Sequence, residues 1–365
     1  MRPYRQNRHT NRRAWGPVLL LFPLLLLTFS LPSCKGPSLY TATFFDVFDT
    51  YAAVQVVSTS QTEAQALVTD IHDLLLTLDG QFDIYSDRAG EANLKTVNDG
   101  AGNGVPVAVS EDILELLSLG QAAYALSGGK VNICMGAVLS LWHDAREDGG
   151  YVPARDALEA AAIHTAMDSL VIDRHAGTVL LTDPAASLDV GAIAKGYAAG
   201  RVAGLCEAVM SDGRVSGVLL DLGGHVLALG TARDGDPWQV GIRDPRPTEG
   251  GGQGSQILTT RSVTDASVVT SGTDQRFYVY DGVTYHHLID PATLAPGRLY
   301  QSVTVYVPAG VACTVSGGTF DSTALADAIS TALFLLSPEE GQALLSMIPG
   351  AEAVWVMADG EVIGM

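Results

Sequence analysis

Ser187-Leu188-Asp189-Val190-Gly191-Ala192-Ile193-Ala194-Lys195-Gly196-Tyr197 reads as an apolar strand that ends in Asp189, turns through Gly191 and opens a helix. Lys195 falls in the first turns of that helix, so backbone N–H groups, a helix N-terminus and an ammonium converge on one point. Such a point suits a bound phosphate. The segment is neither a GxxxxGK[ST] loop nor a GxGxxG dinucleotide turn. The same residues also describe an ordinary strand-to-helix turn with a surface lysine, and the rest of the chain has to separate the two.

Working outward, the 365 residues carry 21 Lys and Arg against 40 Asp and Glu, a formal net charge of −19. Five of the basic residues, Arg2, Arg5, Arg8, Arg12 and Arg13, precede an uncharged apolar run from Ala14 to Ser33. The run ends in Leu31-Pro32-Ser33-Cys34, which resembles a lipobox. It is long enough to cross a bilayer as an anchor. The small residue before Cys34 and the loss of hydropathy after it favour cleavage there. The expected organisation is a signal peptide over 1–33, a tether over 34–42 lipidated at Cys34, and one domain over 43–365. The protein is thus expected to be exported and lipid-anchored to a bacterial membrane.

Without the leader, 16 basic residues face 40 acidic ones, a net charge near −24. That surface repels nucleic acid and offers anionic lipid no polybasic patch, so attachment rests on acyl chains. Cys134, Cys206 and Cys313 lack CxxC spacing and indicate no zinc site. One disulfide plus a free thiol, or three buried thiols, both fit.

Phe44–Ser58 reads as a strand pair or one long strand, Thr62–Leu78 and Ile113–Leu126 as amphipathic helices, the second capped by Ser110. Val218–Leu229 is a strand pair or bent strand interrupted at Gly223-Gly224, and Trp238–Ile242 a short strand. Phe277–Tyr280 and Val283–Ile289 flank Asp281-Gly282, a favoured type I′ turn pair. Ser302–Val307 is a strand, Ser322–Leu336 a helix, and Ala353–Met357 with Glu361–Ile363 a closing hairpin. The Gly-rich stretch Glu249–Ser255 is a loop. With no repeat and no long linker, this is a single α+β domain, a mixed α/β chain of sheets packed with helices.

Three further constellations carry chemistry. Asp327 and Thr331 lie four apart on an otherwise apolar helix, a carboxylate and a hydroxyl on one face that suit Mg²⁺. They equally form a polar stripe with Thr331 bonded back to its own helix. In Tyr285-His286-His287-Leu288-Ile289-Asp290-Pro291, alternation separates His286 from His287, and one of them is a candidate general base. In Gly128-Gly129-Lys130-Val131-Asn132-Ile133-Cys134-Met135-Gly136, a glycine pair before a short strand suggests a tight pocket wall. Asn132 there offers an amide to a heterocycle edge.

In this order the segments resemble the ApbE-like flavin transferase family, the FAD:protein FMN transferases. The resemblance spans about Phe44 to Leu336 and includes Phe48-Asp49-Thr50, Phe82–Ser86, Gly129–Trp142, Leu188–Tyr197 and Leu222-Gly223-Gly224. It continues through Trp238–Pro245, Thr270-Ser271-Gly272, His286–Pro291 and Ala326–Thr331. It implies a T-fold-like architecture and Mg²⁺-dependent transfer of FMN from FAD to a Thr or Ser hydroxyl of a target protein, with release of AMP. It further implies that Ala192, Asp327, Ser330 and Thr331 hold the metal. Phe48, Tyr85, Lys130, Val131, Asn132, Asp189, Lys195 and Ile289 would contact FAD, and His287 would deprotonate the acceptor hydroxyl. Phe48, Asn132, Cys134, His225 and Ala295 depart from the family's usual Met, Asp, Thr, Asp and Gly. With water in place of the acceptor, the same site describes an FAD pyrophosphatase. Without turnover it describes a flavin-binding lipoprotein.

Overall fold

The structure is a computed structural model that describes residues 36–246, 256–315 and 317–364. The expected signal peptide, Cys34 and the Gly-rich stretch 249–255 lie outside the described residues.

β1 (Ser38–Val47) and β2 (Thr50–Ser58) form a hairpin closed by the pair Val47 and Thr50. Phe48 and Asp49 at its tip have φ of 53° and 48°, the double left-handed conformation of a type I′ turn. That backbone costs a non-glycine residue roughly 1 kcal/mol, and the Phe48 N–H is held by Asp79 Oδ1 at 2.9 Å. Residues 38–42, expected in the tether, are already paired to β2, so the fold starts before residue 43.

α1 (Gln61–Phe82) buries Leu67, Ile71, Leu75 and Leu78 on one stripe, as its spacing predicts, and runs a turn beyond the expected end. α2 (Glu111–Leu126) starts where Ser110 Oγ accepts the Ile113 N–H at 3.3 Å. α3 (Gly136–Glu147) and α4 (Ala194–Met210) follow. β3 (Val215–Leu222) and β4 (His225–Gly230) turn through Gly223 and Gly224, at φ 57° and 96°. β5 (Trp238–Arg243) and β6 (Ile257–Val263) make a separate ribbon, and β7 (Ala266–Gly272) returns to the main sheet. β8 (Phe277–Tyr280) and β9 (Val283–His286) form the hairpin expected around Asp281-Gly282. β10 (Tyr300–Pro308), α5 (Ser322–Leu335), β11 (Glu352–Met357) and β12 (Val362–Ile363) complete the scaffold.

The main sheet has the order β1-β2-β3-β4-β7-β10-β11-β12 and is antiparallel throughout. Alternation sends Val54, Val56, Leu220, Leu227, Val269 and Val305 toward α1, α4 and α5. Val57, Ala228, Val268 and Val354 face the ribbon residues Trp238, Val240, Ile242 and Val263. The result is the expected α+β domain, one sheet with helices on one face and a ribbon on the other. α5 lies at its centre, and every residue of that helix except Thr331 is buried. Cys134, Cys206 and Cys313 are all buried and free.

Two expected strands are absent. Residues 188–190 are extended but join no ladder; Ser187 alone makes a parallel bridge, to Met135. Their polar groups are met otherwise, because Asn98 accepts the Leu188 N–H at 2.7 Å and donates to the Leu188 carbonyl at 3.0 Å. One side-chain amide, together with the Ile133 carbonyl that accepts the Asp189 N–H at 2.8 Å, therefore takes the place of a neighbouring strand. Lys130–Cys134 is likewise turns, not a strand, before α3. The second arm of the β8–β9 hairpin ends at His286, and His287 sits at a bend instead of continuing to Ile289.

Candidate active site

A single cavity of about 1110 Å³ opens where the β1–β2 tip, the 130–136 turns, the 187–195 segment, the β3–β4 turn, β7, the β8–β9 hairpin and α5 converge. Small-molecule pockets span roughly 300–1,000 Å³, so this one has room for a dinucleotide. Of the residues singled out by sequence, Phe48, Tyr85, Lys130, Val131, Asn132, Asp189, Ala192, Lys195, His287, Ile289, Asp327 and Thr331 all line it. Ser330 does not. It is buried, bonded to Ser271 Oγ at 2.8 Å and to the Asp327 carbonyl at 2.9 Å.

Asp327 organises the floor. It is 5% exposed, and its Oδ2 accepts the Gly196 N–H at 3.0 Å, with Lys195 Nζ at 3.5 Å. Its Oδ1 lies 3.4 Å from His225 Nδ1. Burial alone would push this carboxyl up, but the Lys195 charge and the bonds from His225 and Gly196 outweigh it and hold it at about 2. It is therefore ionised at neutral pH. α4 begins at Ile193 with no side-chain cap of its own, and Asp327 supplies one from the neighbouring helix. The helix start read from sequence as a phosphate cradle has thus already given one N–H to a carboxylate of the protein.

This close approach needs Gly196. A Cβ there would sit 2.6 Å from the Ala324 carbonyl and 3.0 Å from Asp327 Cβ. His225, noted from sequence only as a departure, is fully buried against Asp327, and its Nε2 has no partner among the described residues. Thr331, the unburied residue of α5, and the Ala192 residue line the same wall. Among the described residues no three His, Cys, Asp or Glu side chains are placed to hold a metal. Asp327 brings a carboxylate and Thr331 a hydroxyl to the cavity lining, oxygen donors of the kind that suit Mg²⁺ when phosphate oxygens complete the set.

The two adjacent histidines have separate roles. His286 is buried between the Gly297 carbonyl, 2.8 Å from Nε2, and the Leu288 N–H, 3.2 Å from Nδ1, so both its nitrogens are structural. His287 stands on the cavity side. Its N–H donates to the Arg276 carbonyl at 3.1 Å, and its Nδ1 lies 3.3 Å from the same oxygen. That contact assigns the proton to Nδ1 and leaves Nε2 as the basic nitrogen. His287 is solvent-exposed at the cavity, and partial desolvation by the surrounding cleft, with the charges of Arg276, His286 and Lys195, lowers its ring below the ordinary imidazole value. The ring is therefore neutral at pH 7 and able to accept a proton.

Other sequence expectations change in detail. Asn132 lines the cavity with its amide anchored, since its Nδ2 donates to the Thr165 carbonyl and its Oδ1 accepts the Cys134 N–H, both at 2.9 Å, leaving one N–H and one lone pair uncommitted. Lys130 bonds both Asp290 oxygens at 2.9 Å. Asp189 closes its own turn on the Gly191 N–H at 2.9 Å, and burial pushes its carboxyl up. Tyr85 is exposed and stacks on His143 at 5.6 Å. Ile289 packs with Met135, Val138, Trp142, Leu158 and Leu294. The glycine-like position of the following turn is Leu294 at φ 59°, not Ala295, and its carbonyl accepts Trp142 Nε1 at 3.0 Å.

Sequence reasoning missed an aromatic wall of Trp142, Tyr285 and Tyr278, stacked at 5.8 and 5.4 Å. Its signal was present, since the Asp281-Gly282 turn sets Tyr278 opposite Tyr285. It also missed Arg146, Arg243 and Arg276, which join Lys130 and Lys195 in the lining. Five carboxylates, Asp49, Asp144, Asp189, Asp221 and Asp327, share that lining, so the cavity is a near-neutral spot on an acidic protein.

Comparison with known proteins identifies the family. The sequence model of the ApbE family matches residues 48–355. A FAD:protein FMN transferase of Treponema pallidum is 34% identical over 309 residues, 80% of this chain and 78% of the relative. The crystal structure of the ApbE protein of Thermotoga maritima superposes with a TM-score of 0.75 at 26% identity, covering 90% of this chain and 97% of its own. The apo flavinyl transferase ApbE of Pseudomonas stutzeri gives a TM-score of 0.69 at 26% identity, covering 89% and 93%. With the match running from the β1–β2 tip into β11 and so through every wall of the cavity, this chain belongs to the ApbE family.

Proposed function

We propose that this chain transfers FMN from FAD to a Thr or Ser hydroxyl of a target protein and releases AMP. The observation that carries the reading is one cavity lined by a neutral His287, an ionised Asp327, Lys195 and Thr331. The names of the relatives support it.

His287 Nε2 takes the proton of the acceptor hydroxyl as that oxygen bonds to the FMN phosphorus. The bond from that phosphorus to the bridging oxygen breaks, and the bridging oxygen leaves on AMP. Asp327, Thr331 and the Ala192 carbonyl would hold Mg²⁺, which when bound neutralises charge on the phosphate oxygens. Lys195 keeps Asp327 ionised and oriented. The aromatic wall offers flat apolar surface for the flavin or adenine ring. We further propose, from the sequence alone, that cleavage before Cys34 and its lipidation anchor the domain to a bacterial membrane.

Purified protein is incubated with FAD, Mg²⁺ and a candidate acceptor, and the acceptor is weighed by mass spectrometry. An increase equal to FMN less one water, with equimolar AMP, is the expected result. AMP without a labelled acceptor makes the protein a pyrophosphatase, and bound FAD with neither product removes the catalytic reading.

A further inference from the structure

Five cations line the cavity, and four are within reach of a carboxylate. Lys130 meets Asp290 at 2.9 Å, Lys195 meets Asp327 at 3.5 Å, Arg243 meets Asp274 at 3.1 Å and Arg146 meets Glu147 at 3.1 Å. Arg276 has no carboxylate within 4.0 Å among the described residues. It is exposed, so its side chain can adjust to a ligand. Its backbone is fixed, because its carbonyl accepts from His287, and that ties the residue to the candidate base. Its charge acts on Tyr85, Asp189 and His287, side chains from three separate segments of the lining.

An ion-paired lysine presents a ligand with little net field. An unpaired guanidinium presents full charge and a planar fork matched to phosphate oxygens. A dianionic linkage entering a protein of net charge −19 needs such a partner. We infer that Arg276 is the cavity's phosphate-binding residue, gripping the pyrophosphate of FAD on the His287 side of the site. This rests on the flavin-transferase reading above. It shifts to Arg276 the role that sequence suggested for Lys195, whose charge is committed to Asp327.

The test measures binding of FAD and of riboflavin, which shares the ring but carries no phosphate, by flavin fluorescence. Wild type, Arg276→Gln and Arg276→Lys are compared; both variants keep the carbonyl that positions His287. Arg276→Gln is expected to weaken FAD roughly 10- to 100-fold while riboflavin changes by less than about two-fold. Arg276→Lys is expected to fall between, since it keeps charge and loses the fork. Equal weakening of both ligands makes Arg276 a structural residue, and unchanged FAD affinity removes it from the site; either overturns the inference. Wild-type protein that binds neither flavin overturns the function itself, a different result.

Discussion

Substituting Gly196 pits helix propensity against packing, and the two predict opposite signs. Gly196 lies in the first turn of α4, where alanine gains about 1 kcal/mol by propensity. The added Cβ would lie 2.6 Å from the Ala324 carbonyl, 0.8 Å inside the 3.4 Å at which ordinary contact begins, and 3.3 Å from the Asp327 backbone nitrogen. Backbone cannot move aside as a flexible side chain does, so α4 and α5 must part. Overpacking of this kind costs about 1–3 kcal/mol, for a net loss of about 0–2 kcal/mol after the propensity gain. Gly204, in the same helix, has open space at the Cβ position and gives the propensity gain alone. Gly200, whose Cβ would lie 3.2 Å from Ala324 Cβ, falls between. Urea unfolding of the three Gly→Ala variants should therefore rank Gly204, Gly200, Gly196 from stabilised to destabilised. FAD affinity should fall only for Gly196→Ala, because parting the helices withdraws Asp327 from Lys195. Three equal shifts of the same sign would refute the close α4–α5 contact as the reason for glycine here.

For His287 the neutral ring is the active form, and its folded pKa is below the ordinary value. Activity is therefore lost only as pH falls through that lowered value, and kcat/KM should stay flat from pH 7.5 to about 5.5; a tenfold decline per unit starting near 6.5 would contradict the lowering. His287→Gln should cut transfer roughly 10²- to 10⁴-fold with FAD binding intact. Asp327→Asn leaves Lys195 without its counter-charge and should cost about 2–3 kcal/mol in denaturant melts, along with at least about 100-fold in turnover. Leu294→Gly relieves a left-handed leucine worth about 1 kcal/mol but empties a buried site worth about 2–5 kcal/mol. Thermal unfolding should show net destabilisation, and a rise in Tm would mean that the strain dominates.

Elements whose partners lie close in sequence were legible before the structure. The β1–β2, β3–β4 and β8–β9 hairpins carry their turn residues beside their strands, and α1 carries its stripe. The run Leu188–Val190 misled because apolar extended residues look alike whether a strand or the amide of Asn98, 90 residues away, satisfies them. Candidate site residues were legible as types, through motif order. Their commitments were not. That Asn132 spends its amide on Thr165 and Cys134, that Ser330 turns away to Ser271, and that His225 backs Asp327 all depend on distant partners. Asp327 and Thr331 share a helix face in any sequence reading, but only packing shows that the first is capped by a neighbouring helix start.

The strand order also sets a timetable. β2 is complete at residue 58, whereas its second neighbour β3 begins at residue 215. At ribosomal rates of about 5–20 residues per second, roughly ten to thirty seconds separate the two. Over that interval the Val54–Val57 edge of a young hairpin has no strand to pair with and invites association with other chains. His287 and Asp327 emerge later still, so the cavity is completed late. A chain stopped before residue 327 lacks most of α5 and all of β11, and with them one wall of the cavity and one strand of the sheet.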